Sequence, residues 1–295
     1  MSRQPRSTDK TARPSGRSAS ALAVDDLRRL CAFLYQRTGM IFGESKRYYI
    51  ERRVADRMAA TGARSFPAYF SHVEADAGEV EHLINIFTVN ETYFYREEHQ
   101  LLCLGRSLLP GIVQHKKPGD LVRIWSVPCS TGEEPYSIAI WLLENWPLVD
   151  AYNIEIVGSD IDTQVLQDAA VGDYGTRALS RLPPDVVERY FEPTGDGQRR
   201  LIEDLRESVR FTRANLVDTA SVAAQGRFDI VFCRNVLIYF DDASRLLAAN
   251  NLYDALRPGG YICLGHTESM ARISKRFDLR RFEDAIVYQR PGEGA

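Results

Sequence analysis

Two stretches constrain the fold of this chain more than any others: Trp125-Ser-Val-Pro-Cys-Ser-Thr-Gly-Glu-Glu-Pro-Tyr-Ser137 and Ile156-Val-Gly-Ser-Asp-Ile-Asp162. Each reads as a strand ending in a polar, acidic loop, and the two sit one βαβ unit apart. Pro135 starts the helix after the first loop, and the second strand delivers Asp160 about thirty residues on, the spacing of a nucleotide-type cofactor site. The first loop lacks a glycine-rich phosphate cradle, having only Gly132 with Glu133 and Glu134 beside it. Two carboxylates would repel a dinucleotide phosphate. They would attract a cationic cofactor such as S-adenosylmethionine, which carries a sulfonium and an ammonium.

Strands and helices alternate from Leu121 onward: strands at 121–127, 154–159, 209–212 and 228–233, a turn plus strand at 257–264, and a closing hairpin at 277–281 and 285–289. Phe228 to Cys233 is a near-continuous apolar run, as expected of a strand buried on both faces. Such alternation predicts an open, mostly parallel, doubly wound sheet whose ligands bind beyond the carboxyl ends of its strands. A stretch at about 190–212, holding Gly195-Asp-Gly197, breaks the rhythm and reads as a small antiparallel β-insert. Before the sheet, residues 22–88 carry helical periodicity, with Leu27, Leu30, Phe33 and Leu34 on one face and Ile50, Val54 and Met58 on another. The expected organisation is a basic arm (1–21) without fixed structure, a small all-helical domain (22–88), a linker contributing to the cofactor site (89–104), and a Rossmann-like domain (105–291). A helix from Glu97 is expected to end at Pro110-Gly111.

The formal net charge of −3 argues against a dedicated nucleic-acid binder. No apolar run reaches eighteen residues, so no transmembrane helix is expected. Five cysteines, odd in number and without close pairs, fit neither a disulfide framework nor a zinc site; no metal is expected, and a reducing cytoplasm suits them.

The strand-end loops supply what an adenosyl cofactor needs. Asp160 suits the ribose diol, and Asn215 with the backbone of Leu216 suits the adenine edge. Glu133 suits the ammonium, and Arg96 or Arg234 the carboxylate. Taken singly, Asp160 reads more often as a helix cap, and the glutamate pair reads also as partners of a helix dipole. His266, alone after a strand, reads as structural.

Five motifs occur in order: Asn90-x-Thr-x-Phe-x-Arg-Glu97, Ser130-Thr-Gly-Glu-Glu-Pro-Tyr-Ser137, Ser159-Asp-Ile-Asp162, Phe232-Cys-Arg-Asn-Val-Leu-Ile-Tyr-Phe-Asp241 and Gly259-Gly-Tyr-x-x-Leu-Gly-His266. Together they resemble the CheR family of chemoreceptor glutamate methyltransferases, from about Leu22 to Gln289. The resemblance implies methyl transfer from S-adenosylmethionine, leaving S-adenosylhomocysteine, to glutamyl side chains of membrane chemoreceptors, in adaptation. It implies cofactor contacts by Asn90, Thr92 and Arg96 from the linker. On the sheet it implies Glu133 (or its neighbour Glu134), Asp160, Asn215, Leu216, Arg234 and Asn235, with Tyr239 near the transferred methyl. Arg96 and Tyr239 are the expected orienting groups, because an ionised glutamate needs no general base.

Lys46, Arg53 and Arg57 share one stripe of the helix expected over 45–61. They read either as a solvated face or as a docking strip for an acidic receptor helix, the role the resemblance implies for this helix. The implied partners are cytoplasmic receptor signalling domains, which would place a monomeric, cytoplasmic protein at membrane arrays only peripherally. In some family members the β-insert docks a receptor pentapeptide tether; here the 192–206 stretch looks shorter, which implies a form working without it. The alternatives are methylation of RNA or a small molecule, and a module that binds the cofactor without turnover.

Overall fold

The computed structural model describes residues 22–195 and 197–292, so the N-terminal arm expected over 1–21 lies outside the described residues. Four helices come first: Val24–Thr38, Arg47–Thr61, Phe66–Ala75 and Ala77–Phe87. Ser65 caps the third by accepting from the Ala68 N–H, and Asp76 caps the fourth through the Gly78 N–H. Their apolar faces meet in a core that includes Leu30, Leu34, Ile50, Val54, Tyr69, Phe70 and Phe87. At least one charge is sunk among these helices. Glu79, buried, accepts hydrogen bonds from Arg57 Nε (3.0 Å) and from the Tyr69 hydroxyl (2.7 Å). Burial works to raise the Glu79 pKa, yet Arg57 and Tyr69 outweigh it and hold the carboxyl below its ordinary value.

That pair corrects the docking strip. Helical periodicity places Lys46, Arg53 and Arg57 on one stripe, but it does not say which neighbour covers the stripe. The Ala77–Phe87 helix covers part of it, so Arg57 is half-buried and spent on Glu79. Arg53 donates to the Ile86 carbonyl and lies 4.3 Å over the Tyr49 ring. Lys46 is exposed.

Among the described residues ten strands follow: β1 (Leu121–Ser126), β2 (Asn153–Asp160), β3 (Asp173–Tyr174), β4 (Phe191–Pro193), β5 (Arg199–Leu201), β6 (Val209–Arg213), β7 (Phe228–Cys233), β8 (Leu256–Leu264), β9 (Asp278–Arg281) and β10 (Ile286–Gln289). Seven form one sheet in the order β6-β2-β1-β7-β8-β10-β9, with β6 through β8 parallel and β10 and β9 antiparallel. From β1 the chain winds outward to β2 and β6, then returns to start β7 on the other side. The order therefore reverses between β1 and β7, which opens a crevice beyond their carboxyl ends. Every residue of β7 is buried, and the sheet separates two apolar layers. The fold is the expected one: an all-helical N-terminal unit, then a doubly wound Rossmann-like α/β sheet with a small antiparallel insert. Among the described residues no helix is long and apolar enough to cross a membrane.

Two local expectations change. The insert is a three-stranded sheet, β3-β5-β4, which recruits Asp173–Tyr174 and stops at Leu201. Residues 209–212, counted both as a strand of the alternating series and as the end of the insert, belong to the main sheet and lie parallel to β2 from Ile156↔Val209 to Asp160↔Arg213. Short alternating runs carry no label saying which sheet they join. The helix after the linker also does not end at Pro110. It runs as α from Glu98 to Cys103, widens to a π turn over Leu104–Leu108, and resumes through Val113. Pro110 falls in the first turn after the widening, where a missing N–H costs little. Gly105 lets this helix meet Trp141, since a Cβ there would lie 2.3 Å from the indole.

The helical unit covers the crevice through polar contacts to three strand-end loops. Thr88 Oγ1 donates to Asp162 (2.6 Å), Asn215 Nδ2 to the Arg37 carbonyl (2.7 Å), and the Tyr35 hydroxyl to Asp241 (2.8 Å). Met40 makes a β-bridge to Phe240.

Glu79→Ala would leave the Arg57 guanidinium and the Tyr69 hydroxyl without their buried acceptor. It should destabilise the protein by about 3 kcal/mol in urea unfolding, with cofactor affinity unchanged. An unaltered unfolding midpoint would remove the triad from the stability of the helical unit.

Candidate active site

The loop after β1 is threaded between two neighbouring strands: the Val127 N–H donates to the Phe232 carbonyl and the Cys129 N–H to the Ser159 carbonyl, both at 2.8 Å. Ser130 then takes a left-handed conformation (φ 49°) and donates its N–H to Asp160 Oδ2 at 2.9 Å. Asp160 Oδ1 accepts from the Asp162 N–H at 3.0 Å. Among the described residues no basic side chain pairs with Asp160, which is 3% exposed, and burial pushes its pKa up to about 6.

The two glutamates of the loop have different surroundings. Glu134 accepts from Ser126 Oγ (2.7 Å) and from Arg234 (2.7 Å). Glu133 accepts from Thr131 Oγ1 (2.7 Å) and pairs with no basic side chain among the described residues. Burial raises the pKa of both; for Glu134, Arg234 opposes it. Both terminal nitrogens of Arg234 are engaged, one on Glu134 and the other donating to the Arg96 carbonyl (2.8 Å) with Glu97 at 3.2 Å. Glu97 in turn accepts from Gln100 and meets His266 Nδ1 at 2.9 Å, so His266 is a structural partner. Arg234 and His266 hold the Glu97 pKa below its ordinary value against the effect of burial.

Three cavities lie along the strand ends. A small one of about 60 Å³ is bordered by Arg96, Ser130, Glu134, Arg234 and Asn235. An open cleft of about 990 Å³ between the helical unit and the sheet is bordered by Lys46, Arg53, Asn90, Thr92 and Tyr239. Val89, Glu91 and Thr92 border both, so the two adjoin. A third, of about 710 Å³, is bordered by Arg37, Ile161 and Asn215. Of the residues expected from sequence, Asn90, Thr92, Arg96, Arg234, Asn235 and Tyr239 border the adjoining pair, Asn215 borders the third cavity, and Asp160 and Leu216 border none of the three. Of the glutamate pair, Glu134 borders the small cavity, and Glu133 is not among the residues around these three. Leu216 is buried beside Asn215. Lys46 lies 5.7 Å over the Tyr239 ring, whose pKa burial raises.

Two signals mark this crevice that spacing did not reveal. Among the described residues the non-glycines with positive φ are Tyr95, Glu97, Ser130 and Asn235, all in the linker or the strand-end loops. Strained backbone of this kind concentrates at functional sites. Ser130 Oγ and Arg234 Nε are buried without a hydrogen-bond partner, and both residues border the small cavity. A ligand with a zwitterionic amino-acid end fits this donor set, since it brings polar groups to these two atoms and to Glu134 and Arg96.

Residues 25–88 match the all-alpha domain, and residues 90–286 the SAM-binding domain, of the CheR methyltransferases. The chain belongs to the CheR methyltransferase family. It is 47% identical to chemotaxis protein methyltransferase 2 of Vibrio cholerae, across 91% of this chain and 94% of that protein. It is 37% identical to chemotaxis protein methyltransferase 2 of Pseudomonas aeruginosa (85% and 88% covered) and 35% identical to the Salmonella typhimurium chemotaxis protein methyltransferase (90% and 94%). CheR membership makes this an S-adenosylmethionine-dependent methyltransferase of chemotaxis.

With Asp160 assigned to the ribose hydroxyls, as proposed below, its ionised form is the better acceptor. Affinity for S-adenosylhomocysteine should therefore hold above pH 6 and fall toward tenfold per unit well below it, as Asp160 takes up a proton. Calorimetric titration from pH 5 to 8 checks this. Asp160→Asn should bind more weakly and lose that limb; a limb that survives in the variant belongs to another group.

Proposed function

We propose that the chain transfers the methyl group of S-adenosylmethionine to glutamate side chains of chemoreceptor signalling domains, forming glutamyl methyl esters. The observation that carries this reading is the adjoining pair of cavities: a small polar one for the amino-acid end of the cofactor, opening at Thr92 into a wide cleft with Tyr239, Lys46 and Arg53 on its walls.

The cofactor, when bound, supplies a methyl group activated on a positively charged sulfur. Asp160 accepts from the ribose hydroxyls. Asn215 uses its amide nitrogen on Arg37 and one acceptor position on the Val217 N–H (3.2 Å), which leaves an Oδ1 lone pair for the adenine amino group beside Leu216. Glu134, bordering the cavity beside Arg96, is better placed than Glu133 for the ammonium. Arg96 spends one nitrogen on the Glu91 carbonyl (2.8 Å) and has others for the carboxylate, whereas Arg234 is already held by Glu134 and Glu97. Asn90 reaches Asp162 and Thr88 (both 3.0 Å), so its part is to fix the linker over Asp162. Asn235 and Thr92 complete the walls.

On the acceptor side no base is required. A receptor glutamate is ionised at neutral pH, and transfer is an in-line displacement whose rate rests on placement. Tyr239 and Arg96 orient the acceptor carboxylate and the donor. Lys46 and Arg53 attract an acidic helix into the cleft. Arg57 has no place in that surface, because Glu79 holds it.

The test is incubation with S-adenosylmethionine labelled in the methyl group and receptor signalling domains, scored by base-labile methanol release. Label in receptor glutamates supports the proposal; label in RNA, or cofactor binding without transfer to any receptor, replaces it. Lys46→Glu combined with Arg53→Glu should leave S-adenosylhomocysteine affinity unchanged and lower kcat/KM for receptor at least tenfold, mainly through KM. Wild-type kcat/KM in that variant would move receptor docking elsewhere.

A further inference from the structure

Glu268 stands just past β8, outside the motifs that mark the site, yet its carboxylate is wholly engaged with backbone. Oε2 accepts from the N–H groups of Asn235 (2.8 Å) and Gly265 (2.9 Å). Oε1 accepts from those of Val236 (3.0 Å) and Leu237 (2.8 Å). Among the described residues no basic side chain pairs with it. Three successive N–H groups converging on one anion form an anion-binding nest, and here the chain supplies its own anion.

The nest sits under the segment that follows β7. Asn235 is held there in the left-handed region (φ 59°), which among non-glycine residues asparagine enters most readily. The same segment turns through Leu237–Tyr239, where the Tyr239 N–H returns to the Val236 carbonyl at 3.0 Å. Its two ends look into different cavities: Asn235 borders the small polar one and Tyr239 the wide cleft. Gly265 leaves room for the arrangement. A Cβ there would lie 2.8 Å from Asn235 Nδ2 and 2.9 Å from Glu268 Oε2.

We propose that Glu268 is a positioning residue for methyl transfer: its four backbone hydrogen bonds fix the Asn235–Tyr239 segment so that Asn235 faces the cofactor and Tyr239 the methyl acceptor. This rests on the methyltransferase reading of the crevice. Glu268 touches neither reactant in this scheme and acts through the two residues it aligns. A glutamine would keep the shape but turn one acceptor oxygen into a donor, setting it against two of the four N–H groups.

The experiment compares full-length wild type with Glu268→Gln, Asn235→Ala and the double variant, measuring S-adenosylhomocysteine affinity by calorimetry and methyl transfer to receptor domains. Glu268→Gln should lower affinity about tenfold and kcat about a hundredfold, with KM for receptor little changed because the docking residues lie on the helical unit. The double variant should bind the cofactor product no more weakly than the worse single variant, since both changes remove the same alignment. Fully additive losses in the cycle, or a folded Glu268→Gln enzyme within twofold of wild type in affinity and kcat, would overturn the proposal. A Glu268→Gln protein that fails to fold moves the test to Gly265→Ala, which crowds the same carboxylate and should reproduce the losses; wild-type behaviour there would overturn it equally. A wild-type protein that itself neither binds S-adenosylhomocysteine nor transfers methyl groups is a failure of the methyltransferase reading, not of this one.

Discussion

The Arg234 guanidinium ties this molecule together. It follows β7, and its partners come from other parts of the chain: Glu134 from the loop after β1, and Glu97 with the Arg96 carbonyl from the linker. Glu97 passes the connection to His266, and Gln100 donates to the Leu264 carbonyl at the end of β8 (2.7 Å). An isolated charge so deeply buried would cost several kcal/mol, and it is tolerated because two carboxylates and a carbonyl surround it. The consequence is geometric. The linker that carries Arg96 cannot drift from the ends of β1, β7 and β8, so residues far apart in sequence share one crevice in a fixed arrangement.

A second constraint comes from the helical unit. Polar contacts tie it to the sheet loops: Thr88 on Asp162, Asn85 and Glu81 on Thr163, Tyr35 on Asp241, Asn215 on Arg37. Such contacts are directional, and each names one geometry, whereas an apolar face tolerates sliding. Hydrogen bonds across this boundary therefore set the width of the cleft as much as they hold the units together. The unit also contributes Lys46 and Arg53 to the wall opposite Tyr239. In the proposed function, charge for attracting an acceptor and the residue facing it thus come from the helical unit and the sheet domain respectively.

Much of this was legible in the sequence because period and strand-end chemistry are local properties. The apolar run of β7, the alternation from Leu121 onward and the helical faces of residues 22–88 all follow from spacing alone. So does Asp160 at a strand end. What was not legible depends on three-dimensional neighbours. The stripe of Lys46, Arg53 and Arg57 has the right angular position, but only tertiary packing assigns Arg57 to a buried Glu79 and leaves Lys46 exposed. The residues 209–212 alternate as the insert strands do, and only the sheet shows that they pair with β2. Pro110 signals a helix end until a π turn absorbs its missing N–H. Glu134 differs from Glu133 only in what each touches. Glu268 lies in none of the motifs, since a carboxylate that binds backbone N–H groups leaves no constraint on the identity of its partners.

The distribution of charge and strain in the crevice suits the chemistry proposed above. A reaction that needed proton transfer would call for a titratable group whose proton can move in the course of turnover. The carboxylates here are instead committed to static tasks. Glu134 and Glu97 neutralise Arg234, Glu268 binds four N–H groups, and Asp160 accepts two of them with room for more donors. Each fixes a neighbour rather than relaying a proton. Displacement by an already ionised carboxylate asks for little else: a positively charged donor held in line, an acceptor brought to it, and water kept away. Left-handed backbone at Ser130 and Asn235, both bordering the small cavity, is the structural counterpart of that demand. It aims side chains that ordinary strand-to-helix turns would direct elsewhere, and the surrounding ion pairs and the Glu268 nest hold it in place.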